Sequence, residues 1–149
     1  MENNTIRQLS IFIENRKGQL DEVLKVLSDN GVNIVAASLA DTEDYGMLRL
    51  IVSDPEKGVE TLKASGVSCK LTNVIALRVP HTTGSLSKAI HGLVAGSINI
   101  EYMYAFANGA DAAAILKSDD PEKAIGILKE NGFDVMNAKE AYESNIVKN

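Results

Sequence analysis

The chain repeats itself, because a shift of 66 residues aligns its first half with its second half without a gap. The longest identity is the tetrapeptide Asp54-Pro55-Glu56-Lys57, which matches Asp120-Pro121-Glu122-Lys123. Seven single identities lie in the same register: Gly18/Gly84, Leu20/Leu86, Asn33/Asn99, Ile34/Ile100, Leu62/Leu128, Lys63/Lys129 and Gly66/Gly132. Chance does not place so many identities in one register, so the sequence predicts two copies of one unit, residues 1–72 and 73–149.

Within each copy the hydrophobic period changes from two to 3.6 and back. Leu9, Ile11 and Ile13 alternate with polar residues, as in a half-buried strand, and helical spacing follows from Leu20 to Leu27. Asp54-Pro55 predicts a helix start with an aspartate N-cap. The predicted order of strand, helix, strand, strand, helix, strand is the ferredoxin-like βαββαβ pattern written twice. The fold class is α+β, with antiparallel sheets and helices on one face.

The sequence also predicts the link between the two copies and the faces of their second strands. A link around Thr72-Asn73-Val74 is expected between the fourth strand, which begins at Cys69, and the next copy. The residues expected to share one face of a second strand are Ile98, Ile100, Tyr102, Tyr104 and Phe106. Core packing is the first interpretation of these aromatic residues, and stacking on a ligand or nucleotide is the second. Val35, Ala37 and Leu39 are expected on the open face of the sheet, where apolar surface favours self-association.

Charge and composition exclude several classes of protein. The 149 residues carry a formal net charge of -5, which disfavours nucleic acid as a partner. No apolar run approaches the roughly 18 residues of a membrane span, and the first residues do not resemble a signal peptide. The single cysteine, Cys69, excludes an internal disulfide, so a reducing cytoplasmic location is expected.

Catalytic and metal-binding constellations are absent from the sequence. The only histidines, His81 and His91, stand ten residues apart with no further ligand at metal spacing, and His91 is expected on a solvated helix face. Cys69 fits a small hydrophobic residue of a strand better than a nucleophile. Gly92 and Gly96 indicate close packing of helices. The sequence therefore predicts no enzyme, no catalytic residues, no metal and no cofactor.

Two positions in each copy suggest ligand binding. Gly18 and Gly84 lie in turns between a strand and a helix, where a ligand can approach the backbone and the helix N-terminus favours a carboxylate. Turn geometry alone is the alternative explanation. Asn33 and Asn99 begin the second strands, although asparagine is a poor strand former, which suggests a hydrogen-bonding role or an edge or turn role.

These residues resemble a known family. Asn15-Arg16-x-Gly18-x-Leu20, followed by Gly31-Val32-Asn33-Ile34, is similar to the ACT domain, a small-ligand regulatory module of amino-acid metabolism. The likeness extends over the whole chain as two tandem units, and it is greatest to the serine-sensing ACT domain of phosphoglycerate dehydrogenase. The resemblance implies side-by-side pairing of units, with an amino acid bound between the glycine turn of one unit and the second strand of its partner.

The resemblance also implies a set of ligand-binding residues. Asn15 would face Asn99 and His81 would face Asn33, which gives two similar but inequivalent pockets. Strand carbonyl groups or Glu101 would hold the ammonium group of the ligand. The predicted ligand-binding residues are Asn15, Lys17, Gly18, Gln19, Leu20, Asn33 and Ile34 in the first copy, and His81, Thr83, Gly84, Ser85, Leu86, Asn99, Ile100 and Glu101 in the second.

The function expected from the resemblance is non-catalytic sensing of an amino acid, by a chain that forms a homodimer. A regulatory small subunit docked on a separate amino-acid biosynthetic enzyme is the alternative. A nucleic-acid binder would need a basic aromatic sheet face, which this acidic chain does not predict.

Overall fold

The computed structural model describes residues 5–41, 45–108 and 111–142. The elements are β1 (Thr5–Glu14), α1 (Gln19–Asp29), β2 (Ile34–Asp41), β3 (Tyr45–Val52), α2 (Pro55–Ala64), β4 (Cys69–Pro80), α3 (Ser85–Ala95), β5 (Ile100–Asn108), β6 (Asp111–Ser118), α4 (Pro121–Glu130), β7 (Asp134–Val135) and α5 (Ala138–Tyr142). The predicted order of strands and helices is confirmed, except that the last strand of the first copy and the first strand of the second copy form one strand, β4, and that α5 is an additional element.

The described residues form two compact units. The N-terminal unit contains Arg7–Thr72 together with Tyr142. The C-terminal unit contains Asn73–Ala141 together with Thr5 and Ile6. Each unit has a pair of long helices and a buried hydrophobic core.

The sheet of the N-terminal unit has the strand order β4-β1-β3-β2. β3 is antiparallel to both β1 and β2, and α1 contacts α2. The largest fully buried side chains of its core are Leu9, Ile11, Leu27, Leu50 and Leu62. Burying each such side chain stabilises the fold by about 1.5–3 kcal/mol, so this layer holds the two helices on one face of the sheet.

The sheet of the C-terminal unit has the equivalent order β7-β4-β6-β5. β6 is antiparallel to β4 and β5, and β7 is antiparallel to β4. The largest fully buried side chains of its core are Ile75, Leu77, Leu93, Leu116 and Leu128. Both units therefore have the α+β ferredoxin-like fold that the sequence predicts, with an antiparallel sheet and helices on one face.

β4 provides a strand to each unit. Its first residues follow Ser68, whose carbonyl oxygen accepts a 2.9 Å bond from the Phe12 amide, and its later residues pair with β6. The expected link at Thr72-Asn73-Val74 is wrong, because these residues continue one strand from Cys69 to Pro80. No glycine interrupts this segment, and its β-branched residues favour extended backbone.

A β-bulge changes the face on which the aromatic side chains of β5 lie. The register between β5 and β6 shifts between Ile100 and Tyr102. Beyond the shift, Tyr102 pairs with Lys117, Tyr104 with Ile115, and Phe106 with Ala113. These partners alternate along β6 with the core residues Leu116 and Ala114, so the aromatic side chains lie on the face of the sheet opposite the core. The prediction that they share a face with Ile98 and Ile100 is wrong, because one inserted residue reverses every later side chain.

The same irregularity occurs in β2, between Ile34 and Ala36. It places Ala37 and Leu39 opposite the core residues Leu50 and Leu48, on the helix side of the sheet. The expectation that they lie on the open face is therefore wrong. The face of the sheet away from the helices also has buried side chains. They are Gln8 and Ile51 in the N-terminal unit, and Val74, Ala76 and Ile115 in the C-terminal unit.

Small residues allow α3 to lie close to α4. A Cβ atom added at Gly96 would collide with the Ile127 side chain, and one added at Gly92 would lie 2.8 Å from Asn131 Nδ2. The prediction of close helix packing is thus confirmed. α5 begins with a reciprocal cap, in which Asn137 and Glu140 each accept a bond from the other's backbone amide.

Candidate functional site

Each unit has a sharp corner between its first strand and its first helix. Gly18 has φ +90° and Gly84 has φ +87°, values that side chains disfavour strongly. The Gly18 carbonyl accepts from the Glu22 amide and the Gly84 carbonyl from the Lys88 amide, both at 3.0 Å. A Cβ atom at either glycine would meet nothing within 4 Å, so the backbone conformation requires glycine and the space beside the turn is open.

The helices that follow these corners lack the caps that the other two long helices have. Asp54 Oδ1 accepts from the Lys57 amide and Asp120 Oδ1 from the Lys123 amide, both at 3.2 Å, which caps α2 and α4. α1 and α3, which lie wholly within the described residues, have no side-chain cap. The first amide of each helix donates to a turn carbonyl oxygen, Gln19 to Arg16 and Ser85 to Thr82, and the next two amides, which have no side-chain cap, are available to an external acceptor such as a carboxylate.

A cleft of about 520 Å³ opens beside the corner of the C-terminal unit. Its apolar lining comes from Val79, Pro80, Leu86, Ala105, Phe106, Ala107 and Ala112, and its polar lining from the turn residues His81, Thr82 and Thr83. All of these residues belong to one unit. The cleft falls within the size range of small-molecule sites, and its few polar groups lie on one side.

Several predicted site residues meet at this cleft. His81, Thr83 and Leu86 line it, and Gly84 and Ser85 lie in the same turn. The Ser85 hydroxyl is 2.6 Å from the Thr82 hydroxyl, which ties the turn to the start of α3.

Asn99, Ile100 and Glu101 lie at the other end of β5 from the cleft. The cleft touches β5 at Ala105, Phe106 and Ala107, and at about 3.3 Å per residue Asn99 is roughly 20 Å from Ala105 along the chain. One unit alone therefore does not bring its glycine corner and its asparagine together. The Glu101 carboxylate lies 3.4 Å from Lys117 Nζ.

The two asparagines occupy equivalent hydrogen-bonded positions. The backbone amide of Asn33 donates to Ser53 Oγ at 2.9 Å, and the backbone amide of Asn99 donates to Asp119 Oδ1 at 3.0 Å. Both residues are exposed. In the N-terminal unit, Asn33 and Ile34 line a second cleft, of about 400 Å³, with Leu24, Ser28, Gly31 and Val32.

The corner of the N-terminal unit is charged. The Arg16 guanidinium lies 3.4 Å from Glu14 and 3.2 Å from Glu22, so it bridges the end of β1 and the first turn of α1. The predicted residues Asn15, Lys17, Gln19 and Leu20 share this turn, and Gln19 Oε1 is buried with no hydrogen-bond partner among the described residues.

The sequence analysis missed some residues of these corners. Arg16 and Glu22 shape the N-terminal corner, and Ala105, Ala107 and Ala112 shape the cleft. Alanine is depleted in strands. Ala105, Ala107 and Ala112 lie in strands, and the first copy has Leu39 at the position of Ala105, so the sequence contained a signal for space at this corner.

The described residues hold no cluster of three or more potential metal ligands. Burial raises the pKa of the Cys69 thiol, whose Sγ lies 3.9 Å from the Val59 carbonyl oxygen. A raised pKa keeps the thiol neutral and unreactive, as expected for a packing residue. His91 is exposed on α3, as predicted. No helix among the described residues is long and apolar enough to span a membrane.

Comparison with known proteins identifies the family. Residues 4–144 match the family described as the ACT domain pair. The chain belongs to that family. The ACT pair thus extends over almost the full sequence, and the resemblance drawn from Asn15-Arg16-x-Gly18-x-Leu20 and Gly31-Val32-Asn33-Ile34 is confirmed.

Solved structures similar to this ACT pair agree with that assignment. Protein BT0572 from Bacteroides thetaiotaomicron is 38% identical with a TM-score of 0.92, over 95% of this chain and 99% of that chain. The regulatory subunit of aspartate kinase from Thermus thermophilus is 13% identical with a TM-score of 0.65, over 86% of this chain and 93% of that chain. The latter likeness shows the fold alone. No curated protein matches the chain in sequence.

Proposed function

We propose that this ACT pair is a regulatory protein without catalytic activity that binds a free amino acid at its glycine corners. The observation that carries the proposal is the contrast in helix caps. α2 and α4 begin on aspartates whose carboxylates cap them, whereas α1 and α3 begin on glycines without a cap. The α-carboxylate of an amino acid supplies the missing acceptor in the favourable field of the helix N-terminus.

A second ACT unit completes the proposed pocket. Within one unit the glycine corner and the asparagine lie at opposite ends of the second strand, so one ligand cannot reach both. We therefore assign one half of the pocket to the corner and the other half to the start of a partner unit's second strand. Asn15 then faces an Asn99 with Ile100 and Glu101, and His81 faces an Asn33 with Ile34.

Regulation follows from a ligand that touches two units. Such a ligand stabilises one relative orientation of the units, and it shifts the population by no more than its difference in affinity for the two orientations. We place this sensor in the cytoplasm, in agreement with the single unpaired thiol of Cys69.

Isothermal titration against the common amino acids tests the proposal. At least one amino acid is expected to bind, and Asn33→Ala or Asn99→Ala is expected to weaken binding about tenfold or more, since each removes a side chain assigned to the ligand. Asn73→Ala is the matched control, because Asn73 is an exposed asparagine within β4. Absence of binding by every amino acid at millimolar concentration would contradict the proposal.

The partner unit is supplied by a homodimer in this proposal. In the described parts of the chain, β2 pairs only with β3 and β5 pairs only with β6, so each is an edge strand of its unit. Leu39 is 52% exposed and Met103 is 41% exposed on these strands. Exposed edges with apolar side chains favour pairing with a second copy. Light scattering is expected to give twice the chain mass, and L39D together with M103D is expected to halve it.

A second candidate is a regulatory small subunit of a separate biosynthetic enzyme, as in the aspartate kinase of Thermus thermophilus, whose regulatory subunit shares the fold. A specific feature favours it. Phe12 and Tyr45 are 41% and 45% exposed, with ring centroids 4.6 Å apart, and exposed aromatic pairs are typical of docking surfaces. Native extract is expected to contain the chain in a large complex that Phe12→Ser with Tyr45→Ser dissociates, whereas a dimer alone would contradict this candidate.

A further inference from the structure

We propose that the cleft of the C-terminal unit selects an amino acid with an apolar side chain, and that the N-terminal corner does not share this preference. The inference rests on the proposed function and adds the class of ligand. It is drawn from the space, the charge and the duplicated positions of the two corners.

The first step concerns space. Ala105 lines the cleft, and the equivalent residue in the N-terminal unit is Leu39. Both lie on the helix side of an edge strand, Ala105 opposite Ala114 and Leu39 opposite Leu48. The exchange of leucine for alanine removes three carbon atoms from the wall, and Ala107 and Ala112 keep the neighbouring positions small. The resulting 520 Å³ exceeds what the backbone part of an amino acid requires.

The second step concerns charge. Among the described residues that line the cleft, none has a carboxylate, ammonium or guanidinium group, and His81 is the only one with an ionisable side chain. The turn positions Pro80, Thr82 and Thr83 correspond to Glu14, Arg16 and Lys17 in the N-terminal unit. A charged ligand side chain that enters the apolar part of the cleft would lose water without gaining an ion-pair partner, which is costly. An apolar side chain gains from the same burial.

The third step concerns the ligand carboxylate. α1 has the acidic residues Asp21 and Glu22 in its first turn, and α3 has none. A ligand carboxylate at the first turn of α3 is therefore repelled less by neighbouring side chains of the helix than one at the first turn of α1. Space for an apolar group and an unopposed place for a carboxylate occur together at this corner.

The experiment uses the full chain, titrated with leucine, methionine and phenylalanine against aspartate, lysine and serine. The apolar amino acids are expected to bind at least about tenfold more tightly, as burial of a few methylene groups requires. Methyl NMR spectra of the alanine-labelled protein locate the ligand, because Ala105, Ala107 and Ala112 line the cleft. Their signals are expected to move on titration.

Ala105→Leu introduces the residue that the other unit has at this position, and it is expected to weaken the binding of apolar ligands about tenfold. Ala107→Leu is a second variant in case the first folds poorly. Ala95→Leu is the control, because Ala95 is an exposed residue at the end of α3 that does not line the cleft, and the cleft affinity is expected to change less than twofold. Equal affinity for charged amino acids, unmoved cleft methyl signals or unaltered binding by both leucine variants would overturn the inference while leaving the proposed function intact. No binding by any amino acid would overturn both.

Discussion

The two glycine corners have the same backbone and different side chains. Gly18 and Gly84 differ by only 3° in φ, and neither α1 nor α3 has a side-chain cap. Around this common backbone, the N-terminal corner has an Arg16 ion-pair bridge and the C-terminal corner has an alanine-lined cleft. In the proposed function the two parts have different roles: the backbone amides would bind what all amino acids share, and the side chains would select among them.

The same duplication provides matched positions at which this comparison can be tested. The largest effect is expected in the cores. Leu50 and Leu116 are equivalent, fully buried residues of β3 and β6. Leu50→Ala and Leu116→Ala are each expected to lower the free energy of unfolding by about 3 kcal/mol, through lost burial and a residual cavity. Urea denaturation measures both, and a negligible loss in one would show that the two cores are not equivalent.

The corner glycines are expected to give the next largest effect. Gly84→Ala places a side chain at φ +87° and is expected to cost about 1–2 kcal/mol of stability, and Gly18→Ala is expected to cost the same. Gly126→Ala is the control, since Gly126 is an exposed helical glycine with open space at its Cβ position. That variant is expected to gain up to about 1 kcal/mol. Thermal denaturation distinguishes these results, and a harmless Gly84→Ala would contradict the need for glycine.

The capped helices are expected to show a smaller loss. Asp54→Ala and Asp120→Ala each remove a carboxylate that accepts from a first-turn amide, at an expected cost of about 1 kcal/mol. Ligand-independent stability should therefore depend on the caps of α2 and α4. If neither substitution lowers the unfolding temperature, the aspartate caps of α2 and α4 do not contribute to the stability of the protein.

The smallest effect concerns Cys69, whose equivalent in the second copy is Val135. Burial raises the pKa of the thiol in the folded state, so the folded protein holds the proton more tightly than the unfolded chain. Its contribution to stability is complete below the ordinary thiol pKa of about 8.5 and declines as pH rises further. Cys69→Val is expected to alter stability by less than about 1.5 kcal/mol and to remove that decline. Denaturation of both proteins between pH 7 and pH 10 measures the difference, and parallel curves would contradict it.

Local sequence signals predicted most of the fold and the two glycine turns at which the candidate site lies. Asp54-Pro55 specified the start of α2 because the cap and the proline act within one turn of chain. Gly18 and Gly84 specified the corners for the same reason. The signal for α5 was equally local, since Asn137 and Glu140 form its cap, but a five-residue helix has little periodicity to reveal it.

The faces of the second strands were not predictable in this way. The bulges near Ile100 and Ile34 depend on how β5 and β2 pair with their neighbours, and nothing in the local alternation marks them. One inserted residue moved Tyr102 to the side opposite the core and moved Leu39 onto the helix side. The alanine-lined cleft beside His81 escaped the sequence analysis because it depends on that reversal.

The sequence alone determined that the chain is two copies of one ferredoxin-like unit, since duplicated caps, corner glycines and hydrophobic periods are properties of residues close together in the chain, and its motifs resemble those of the ACT domain. Tertiary structure decided that Cys69–Pro80 is one strand, which side of each sheet the edge residues occupy, and which residues line the cleft beside His81. These features depend on hydrogen bonding between strands far apart in sequence. A one-residue change in that pairing exchanges the two faces of a strand.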